Sequence, residues 1–412
     1  MNIKVNRILF GLFIILLHSC QKKIGPEDVP VTSLSLLDSA TAVSEKVKPL
    51  MEGVYSIRGD ISNFGQDMVL KWNGASLSGF SSKNSSYIVL KSGEKNGNLY
   101  FEGYWRYAES QQTGLISLTL EKDNGASDLM IGKKPASIKI KGTLWDSKTY
   151  FNFEMNYIRP LSVHSKAFYI IGHRCGGRNS DRLPASENSL KMIPLSEQLG
   201  ANAIETDVQL TKDGVPVLFH DDYLSTRLIN ETYMIGQIRD YTFAQLRALC
   251  TLKDGQKIPT LEEALEVVVD KTNLKLVWLD IKGTDVIKAL APLQTKYMNR
   301  ALITGKKLDI LIGLPDETNF NEYVGLNISQ NHPAICELNE DFVRSAQAGF
   351  WAPRWSLGLL TDRVKQMQKE GVKTFIWTLD NTQLVKRYLA TDEFDGFCTN
   401  YPSIVAYEYY SN

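Results

Sequence analysis

The chain has 412 residues, and its 46 Lys+Arg are balanced by 46 Asp+Glu. That length favours two domains, and zero net charge offers no field for gathering nucleic acid or an anionic membrane surface. Histidine is scarce, at five residues, and two of them, His173 and His220, share one stretch. Because histidine titrates near neutrality, that placement carries weight.

At the N-terminus, Lys4 and Arg7 precede an apolar run, residues 8–17, too short to span a bilayer as a helix. The run ends in Leu17-His18-Ser19-Cys20, which resembles the lipobox of bacterial lipoproteins. The resemblance implies that residues 1–20 are a signal peptide ending at a lipidated Cys20. Its acyl chains would anchor the mature protein to a membrane of the bacterial cell envelope. Gln21 after the cysteine points to the outer membrane, on its periplasmic or surface face. Residues 21–49, polar at first with Pro26 and Pro30, read as a tether.

Residues 50–160 alternate with period two. Ile116, Leu118 and Leu120 interleave with Ser117, Thr119 and Glu121, while Phe151, Phe153 and Met155 interleave with Asn152, Glu154 and Asn156. Asn73-Gly74 and Asn96-Gly97 are hairpin signals. Short strands with Gly/Asn turns predict a small antiparallel all-β domain, a sandwich or a lipocalin-like barrel. Its aromatic run, Tyr100, Phe101, Tyr104, Trp105 and Tyr107, reads as core more readily than as a ligand platform.

After Pro160 the strands become continuously apolar and alternate with helical segments, the texture of parallel strands buried on both faces. Candidate strands are 168–172, 203–208, 216–219, 274–280, 308–312, 334–338, 373–379 and 394–398, with 350–355 competing for the sixth place. Thr260 and Glu263 form a capping box opening a helix at Leu261, and Pro194 must kink a helix or start one. Eight strands with helices between them in residues 166–412 predict an α/β fold of the (β/α)₈ TIM-barrel kind. Cys175, Cys250, Cys336 and Cys398 lack metal-site spacing, and the last three read as small buried hydrophobes.

Strand ends carry the chemistry. Glu205 and Asp207 flank Thr206, so both side chains share one strand face. Two carboxylates held together repel unless protonated or bridged by a cation, and hard oxygen donors favour Mg²⁺ or Ca²⁺ over zinc. His173-Arg174 and His220-Asp221 supply two proton-transfer candidates beside charged neighbours.

His173-Arg174, Glu187-Asn188-Ser189, Glu205-x-Asp207-Val208, Lys212-Asp213-Gly214, His220-Asp221 and Ile258-Pro259-Thr260-Leu261-Glu262-Glu263 occur in the order of the glycerophosphodiester phosphodiesterase family, which the chain resembles from Phe168 to Ser403. Asp280-x-Lys282, Trp377-Thr378 and Thr399-Asn400-Tyr401-Pro402 look like its fourth, seventh and eighth strand ends. The resemblance implies metal-dependent hydrolysis of glycerophosphodiesters to glycerol 3-phosphate and an alcohol, with the glycerol 2-hydroxyl attacking first through a cyclic phosphate. It implies that His173 and His220 are the acid/base pair, and that Glu205, Asp207 and Asp280 hold a divalent cation. Arg174 and Lys282 would clamp phosphate, Trp377 would pack against the substrate, and Glu187 would support the site. The chain departs from the family where a longer loop, with Arg178 and Arg182, follows His173, where Asp280 replaces a glutamate, and where Asn400 stands for an aspartate. A phospholipase-like lyase or hydrolase on another lipid or polyol phosphodiester, and a non-catalytic head-group-binding lipoprotein, are the rival readings.

Overall fold

The computed structural model describes residues 25–59, 63–164 and 166–412. The leader and Cys20 lie outside the described residues. Among the described residues no helix is long and apolar enough to cross a membrane.

The first half is antiparallel. Strands β1 (Gly53–Gly59), β2 (Asp67–Asn73), β3 (Ser76–Phe80), β4 (Ser86–Lys95), β5 (Asn98–Tyr107), β6 (Thr113–Leu120), β7 (Lys139–Trp145) and β8 (Tyr150–Arg159) pair in chain order, and β8 closes on β1. Of the two architectures open from the alternation, the strands adopt the closed barrel. Asn96 and Gly97, with φ of 54° and 80°, make the two-residue turn between β4 and β5, the left-handed pair that matches strand twist. Along β6 every second residue from Gly114 to Leu120 is buried. Phe101 and Trp105 join Tyr55, Trp72 and Leu118 in the interior, which is filled by side chains. Short helices α1 (Val47–Met51) and α2 (Ala126–Met130) add Val47, Met51, Ala126 and Leu129 to that core. Much of the segment read as a tether lies along the barrel wall: Thr41 pairs with Glu94, and the Leu36 amide donates to Glu102 at 2.9 Å.

The second half is a nine-stranded sheet in the order β11-β10-β12-β13-β14-β15-β16-β17-β9, closed by pairing of β9 with β10. Its strands are β9 (Tyr169–Gly172), β10 (Ala203–Leu210), β11 (Pro216–Leu218), β12 (Leu276–Ile281), β13 (Asp309–Leu314), β14 (Ala334–Cys336), β15 (Phe350–Trp351), β16 (Lys373–Ile376) and β17 (Gly396–Thr399). All neighbours are parallel except β11, which runs antiparallel to β10. Removing β11 leaves eight parallel strands, the predicted barrel.

This corrects one assignment. Residues 216–219 are not the third barrel strand, because the Lys212-Asp213-Gly214 turn is a hairpin and a parallel return needs a crossover of a dozen residues or more. The vacant place in the count goes to β15, so 334–338 and 350–355 are both barrel strands rather than rivals. Asp280 consequently sits on the third barrel strand, not the fourth.

Helices α3 (Met192–Gln198), α4 (Phe243–Leu249), α5 (Leu261–Lys271), α6 (Ile287–Ile303), α7 (Glu317–Gly325), α8 (Glu340–Ala346), α9 (Thr361–Lys369), α10 (Thr382–Leu389) and α11 (Pro402–Tyr410) complete the half. The Thr260 hydroxyl caps α5 by accepting from the Glu263 amide, and Glu263 reciprocates. Pro194 falls in the first turn of α3, where its missing N–H costs nothing. Inside the barrel, Ile171, Ala203, Trp278, Leu311, Ile335, Phe375 and Cys398 form a solid plug, so chemistry is confined to the strand ends.

The two barrels share a core. Val69, Phe80 and Tyr87 on the outer wall of the first cluster with Leu195, Leu199 and Val405 of the second. Ser78 Oγ donates to the Gln198 carbonyl and Tyr407 Oη to Asp67, each at 2.7 Å. Arg106, 1% exposed, reaches from β5 to donate to the Arg182 carbonyl at 2.7 Å.

Candidate active site

Parallel register brings the carboxylates together. Asp207 on β10 is directly opposite Asp280 on β12, and Glu205 is two residues below Asp207 on the same face. One oxygen from each of Glu205, Asp207 and Asp280 lies within 4.8 Å of the others. Glu205 is 2% exposed and Asp207 is fully buried. Glu205 Oε1 and Asp280 Oδ1 are each shut off from solvent without a hydrogen-bond partner, and buried Asp207 Oδ1 has only the Lys282 ammonium, 3.2 Å away. Buried carboxylate oxygens lacking donors are the donor set a hard divalent cation requires.

Lys282 lies 2.6 Å from Asp280 and 3.2 Å from Asp207, so the residue read as a phosphate clamp also answers part of the acidic charge. For Glu205, burial, then Asp207 and Asp280, push the carboxyl well above the ordinary glutamate range. Burial acts in the same sense on Asp207, but Lys282, His220 and Arg174 outweigh it and hold that carboxyl down.

Both histidines are oriented through Nδ1. His173, just beyond β9, faces Asn400 Oδ1 at 2.8 Å. The Asn400 amide is fixed because its Nδ2 donates to Asp380 at 2.6 Å and its backbone N–H donates to the same carboxylate. Oδ1 is therefore the atom turned to His173, which puts the ring proton on Nδ1 and directs Nε2 toward Glu205, 3.7 Å away. Asn400 does here what an aspartate would do, with Asp380 behind it. Burial, followed by the Arg174 charge, lowers the His173 pKa to about 4, so the ring is neutral at pH 7.

His220 follows β11 and places Nδ1 2.9 Å from Asp221. Burial would raise Asp221, but Arg227, His220 and Ser225 outweigh it and hold the carboxyl well below its usual range. On the other side of the ring, Arg174 donates to His220 Nε2 at 2.7 Å. The antiparallel hairpin is what carries His220 over: the Phe219 amide donates to the Asp207 carbonyl, and Gln209 Nε2 donates to the carbonyls of Phe219 and Asp221.

Arg174 has φ of 51°, and that left-handed turn aims its amide at Glu205 at 2.7 Å and its guanidinium at Glu187 at 2.7 Å. Glu187, 2% exposed, also accepts from the Asn179 amide and pairs with Arg227 at 3.3 Å. It is a support for the arginines and caps no helix. Arg178 pairs with Asp181 at 3.0 Å and Arg182 with Glu27 at 2.9 Å, so the added loop spends its charge on holding itself. Cys175 is buried with Sγ against Thr206. Trp377 donates Nε1 to the Ala352 carbonyl, and the Arg354 guanidinium stacks 4.6 Å from its ring.

Four contributors were not assigned roles from the sequence. Asp380 and Glu337 carry no local signal, since each meets the site only through the barrel, and Arg227 pairs with Asp221, six residues before it, outside any recognised motif. Asn188 stood inside a recognised motif: its Nδ2 donates to Asp207 Oδ2 at 2.7 Å, and its Oδ1 accepts from Thr206 at 2.8 Å. Asn188→Ala is expected to weaken divalent-ion binding by about 10- to 100-fold, the range for losing a group that orients a ligand. Calorimetric titration with Mn²⁺ checks this.

The profile of the glycerophosphoryl diester phosphodiesterase family matches residues 173–404, more than half of the 412-residue chain. The chain belongs to that family. Membership makes it a phosphoric diester hydrolase. A glycerophosphodiester phosphodiesterase of Caldanaerobacter subterraneus is 27% identical over 247 residues, 57% of this chain and 94% of the relative. Human glycerophosphodiester phosphodiesterase 1 is 31% identical over 182 residues, 41% of this chain and 51% of its own length. The chain thus spans about half of the human relative. Among solved structures, a glycerophosphodiester phosphodiesterase from Parabacteroides distasonis covers 60% of this chain and 99% of its own at 20% identity, with a TM-score of 0.49. A phosphodiesterase of Oleispira antarctica, solved with sn-glycerol-3-phosphate, covers 57% of this chain and 94% of its own at 22% identity and a TM-score of 0.45.

Proposed function

We propose that the protein hydrolyses glycerophosphodiesters to glycerol 3-phosphate and an alcohol, by acid/base catalysis at His173 and His220 with a divalent cation, Mg²⁺ or Ca²⁺. The observation that carries this reading is the pairing of two Nδ1-anchored imidazoles with three converging carboxylates, two of which keep a buried oxygen without a partner. A cation held by Glu205, Asp207 and Asp280 supplies Lewis acidity to a phosphoryl oxygen and acidifies the attacking hydroxyl.

The chain's own groups do the rest. Arg174 exchanges its bond to His220 for a phosphate oxygen, which frees a histidine Nε2 lone pair as the proton acceptor. The glycerol 2-hydroxyl attacks phosphorus and its proton passes to the freed Nε2 of His220, while the bond to the leaving alcohol breaks as His173, entering the step as the imidazolium favoured by the bound phosphodiester anion, delivers its Nε2 proton to that oxygen. Water then opens the cyclic phosphate with the two roles reversed. Asp221 and Asn400 keep each ring in the tautomer the step needs. Lys282 holds charge beside the phosphate, and Trp377 forms a wall for the carbon skeleton.

The localisation proposed with this function is lipid-anchored through Cys20 to the bacterial outer membrane. Its support is the lipobox-like sequence alone.

The deciding assay measures alcohol release from glycerophosphocholine, -ethanolamine, -glycerol and -inositol, with Mg²⁺ or Ca²⁺ and with EDTA. Metal-dependent release of glycerol 3-phosphate is expected. A cyclic phosphate as the end product assigns the protein to the lyase reaction instead. No turnover of any diester at saturating metal leaves the non-catalytic binding reading.

A further inference from the structure

The carboxylates at the barrel mouth do not end with the triad. Ile335 on β14 faces the interior plug and Cys336 faces outward, so strand alternation turns Glu337 inward, at the end of the fifth barrel strand. Between it and Asp280 runs β13, whose inward-facing Gly313 pairs with Ile335. A Cβ there would lie 2.4 Å from the Leu279 carbonyl and 3.3 Å from Asp280 Cα. The packing therefore requires glycine, and no side chain stands at 313 on the strand between Asp280 and Glu337.

Glu337 Oε1 is closed off from solvent and has no hydrogen-bond partner among the described residues. No lysine, arginine or histidine nitrogen of the described residues lies within ion-pair distance of it. The charged groups bearing most on it are Asp280, Lys282, Arg354 and Asp207. Lys282 is already shared by Asp207 and Asp280, and Arg354 is stacked on Trp377. Glu337 is itself partly exposed, but a carboxylate oxygen shut off from water without a donor is costly unless a donor reaches it. Nearly buried Glu205 aims its unpartnered Oε1 into the triad, where Asp280 Oδ1 also lacks a partner.

We propose that Glu337 is a fourth carboxylate of the metal centre, accepting a hydrogen bond across β13 at Gly313 from a water in the cation's shell. Glu337 stands outside the three-residue set that meets within 4.8 Å, so it acts through water and not as a direct ligand. Magnesium in particular keeps several waters when protein-bound. Asp280 is one methylene shorter than the glutamate the family resemblance leads one to expect, and Glu337 supplies negative charge on the side where that reach is lost. The inference rests on the reading of the triad as a metal site.

The test is Mn²⁺ binding to the full chain, by calorimetry and by electron paramagnetic resonance, without substrate. Glu337→Gln keeps shape and volume and should raise the Mn²⁺ Kd by about tenfold or more. Lengthening the ligand with Asp280→Glu in the Glu337→Gln background should recover most of that loss, which a merely structural role for Glu337 would not allow. Matching thermal unfolding curves establish that each variant is folded. Wild-type Mn²⁺ affinity in Glu337→Gln overturns the proposal while leaving the metal site intact, and a raised KM with unchanged Mn²⁺ affinity assigns Glu337 to the substrate instead. A wild-type chain that binds no Mn²⁺ overturns both the metal reading and this one.

Discussion

His220→Ala is expected to lower kcat by about 10²- to 10⁴-fold, the range for removing a positioned acid or base. The ring is held from both sides, by Asp221 at Nδ1 and Arg174 at Nε2, so alanine removes a proton carrier and leaves the arginine without its acceptor. His173→Ala should cost a similar factor, and the double variant little more, because groups acting in one proton relay are not additive. Asp221→Asn is the informative intermediate. It preserves shape but loses the charge that holds the Nδ1 proton, so kcat should fall while KM stays near its wild-type value. Steady-state kinetics on glycerophosphocholine at saturating metal measures all four. Full activity in His220→Ala would remove it from the mechanism.

The same network shows what could be read from the sequence. Glu205 and Asp207 were legible as a pair because a strand repeats every two residues, whereas Asp280 and Lys282 were read only from the family resemblance. The closed antiparallel barrel could not be told from a sandwich, since both bury alternate residues and differ only in whether β8 meets β1. The direction of β11 was recoverable: a Lys-Asp-Gly turn is too short for a parallel return, and length should have outranked the apolar texture of 216–219. Glu337, Asp380 and Arg227 were invisible for another reason. Asp380 works through Asn400, which only the barrel brings to it, and Arg227 bridges Asp221, six residues away, to Glu187 in a pattern that no motif marks.

The added loop after His173 illustrates how the two barrels cooperate. Read from sequence, Arg178 and Arg182 were charged residues of a loop longer than the family's. In the structure Arg182 is held by Glu27 through its side chain and by Arg106 through its carbonyl, while Asp181 ties Arg178 to Tyr401. Gly177 of the same loop sits against the Asn400 carbonyl, where an added Cβ would come within 3.0 Å. The antiparallel barrel therefore braces the loop that adjoins the residue orienting His173.

Removing divalent metal is expected to abolish turnover and to lower the thermal stability of the parallel barrel. Glu205 and Asp280 each leave a buried oxygen without a donor, and Lys282 answers only part of the charge of the three carboxylates. A ligand that binds only the folded chain stabilises it by about 2.7 kcal/mol when present at one hundred times its Kd. Scanning calorimetry should show the added Mg²⁺ raising the unfolding transition of the parallel barrel. The effect has a pH sign. Without metal, Glu205 titrates above its ordinary value of 4.5, so its proton stabilises the fold at low pH, and that contribution is lost as pH rises through the raised value. Binding must displace that proton, so the Mg²⁺-induced shift should grow from pH 5 to pH 8 and protons should be released on titration. A transition unmoved by Mg²⁺ or Ca²⁺ at every pH would contradict a metal role for the triad. Loss of turnover in EDTA with no thermal shift would place the cation on the substrate instead of on the folded chain.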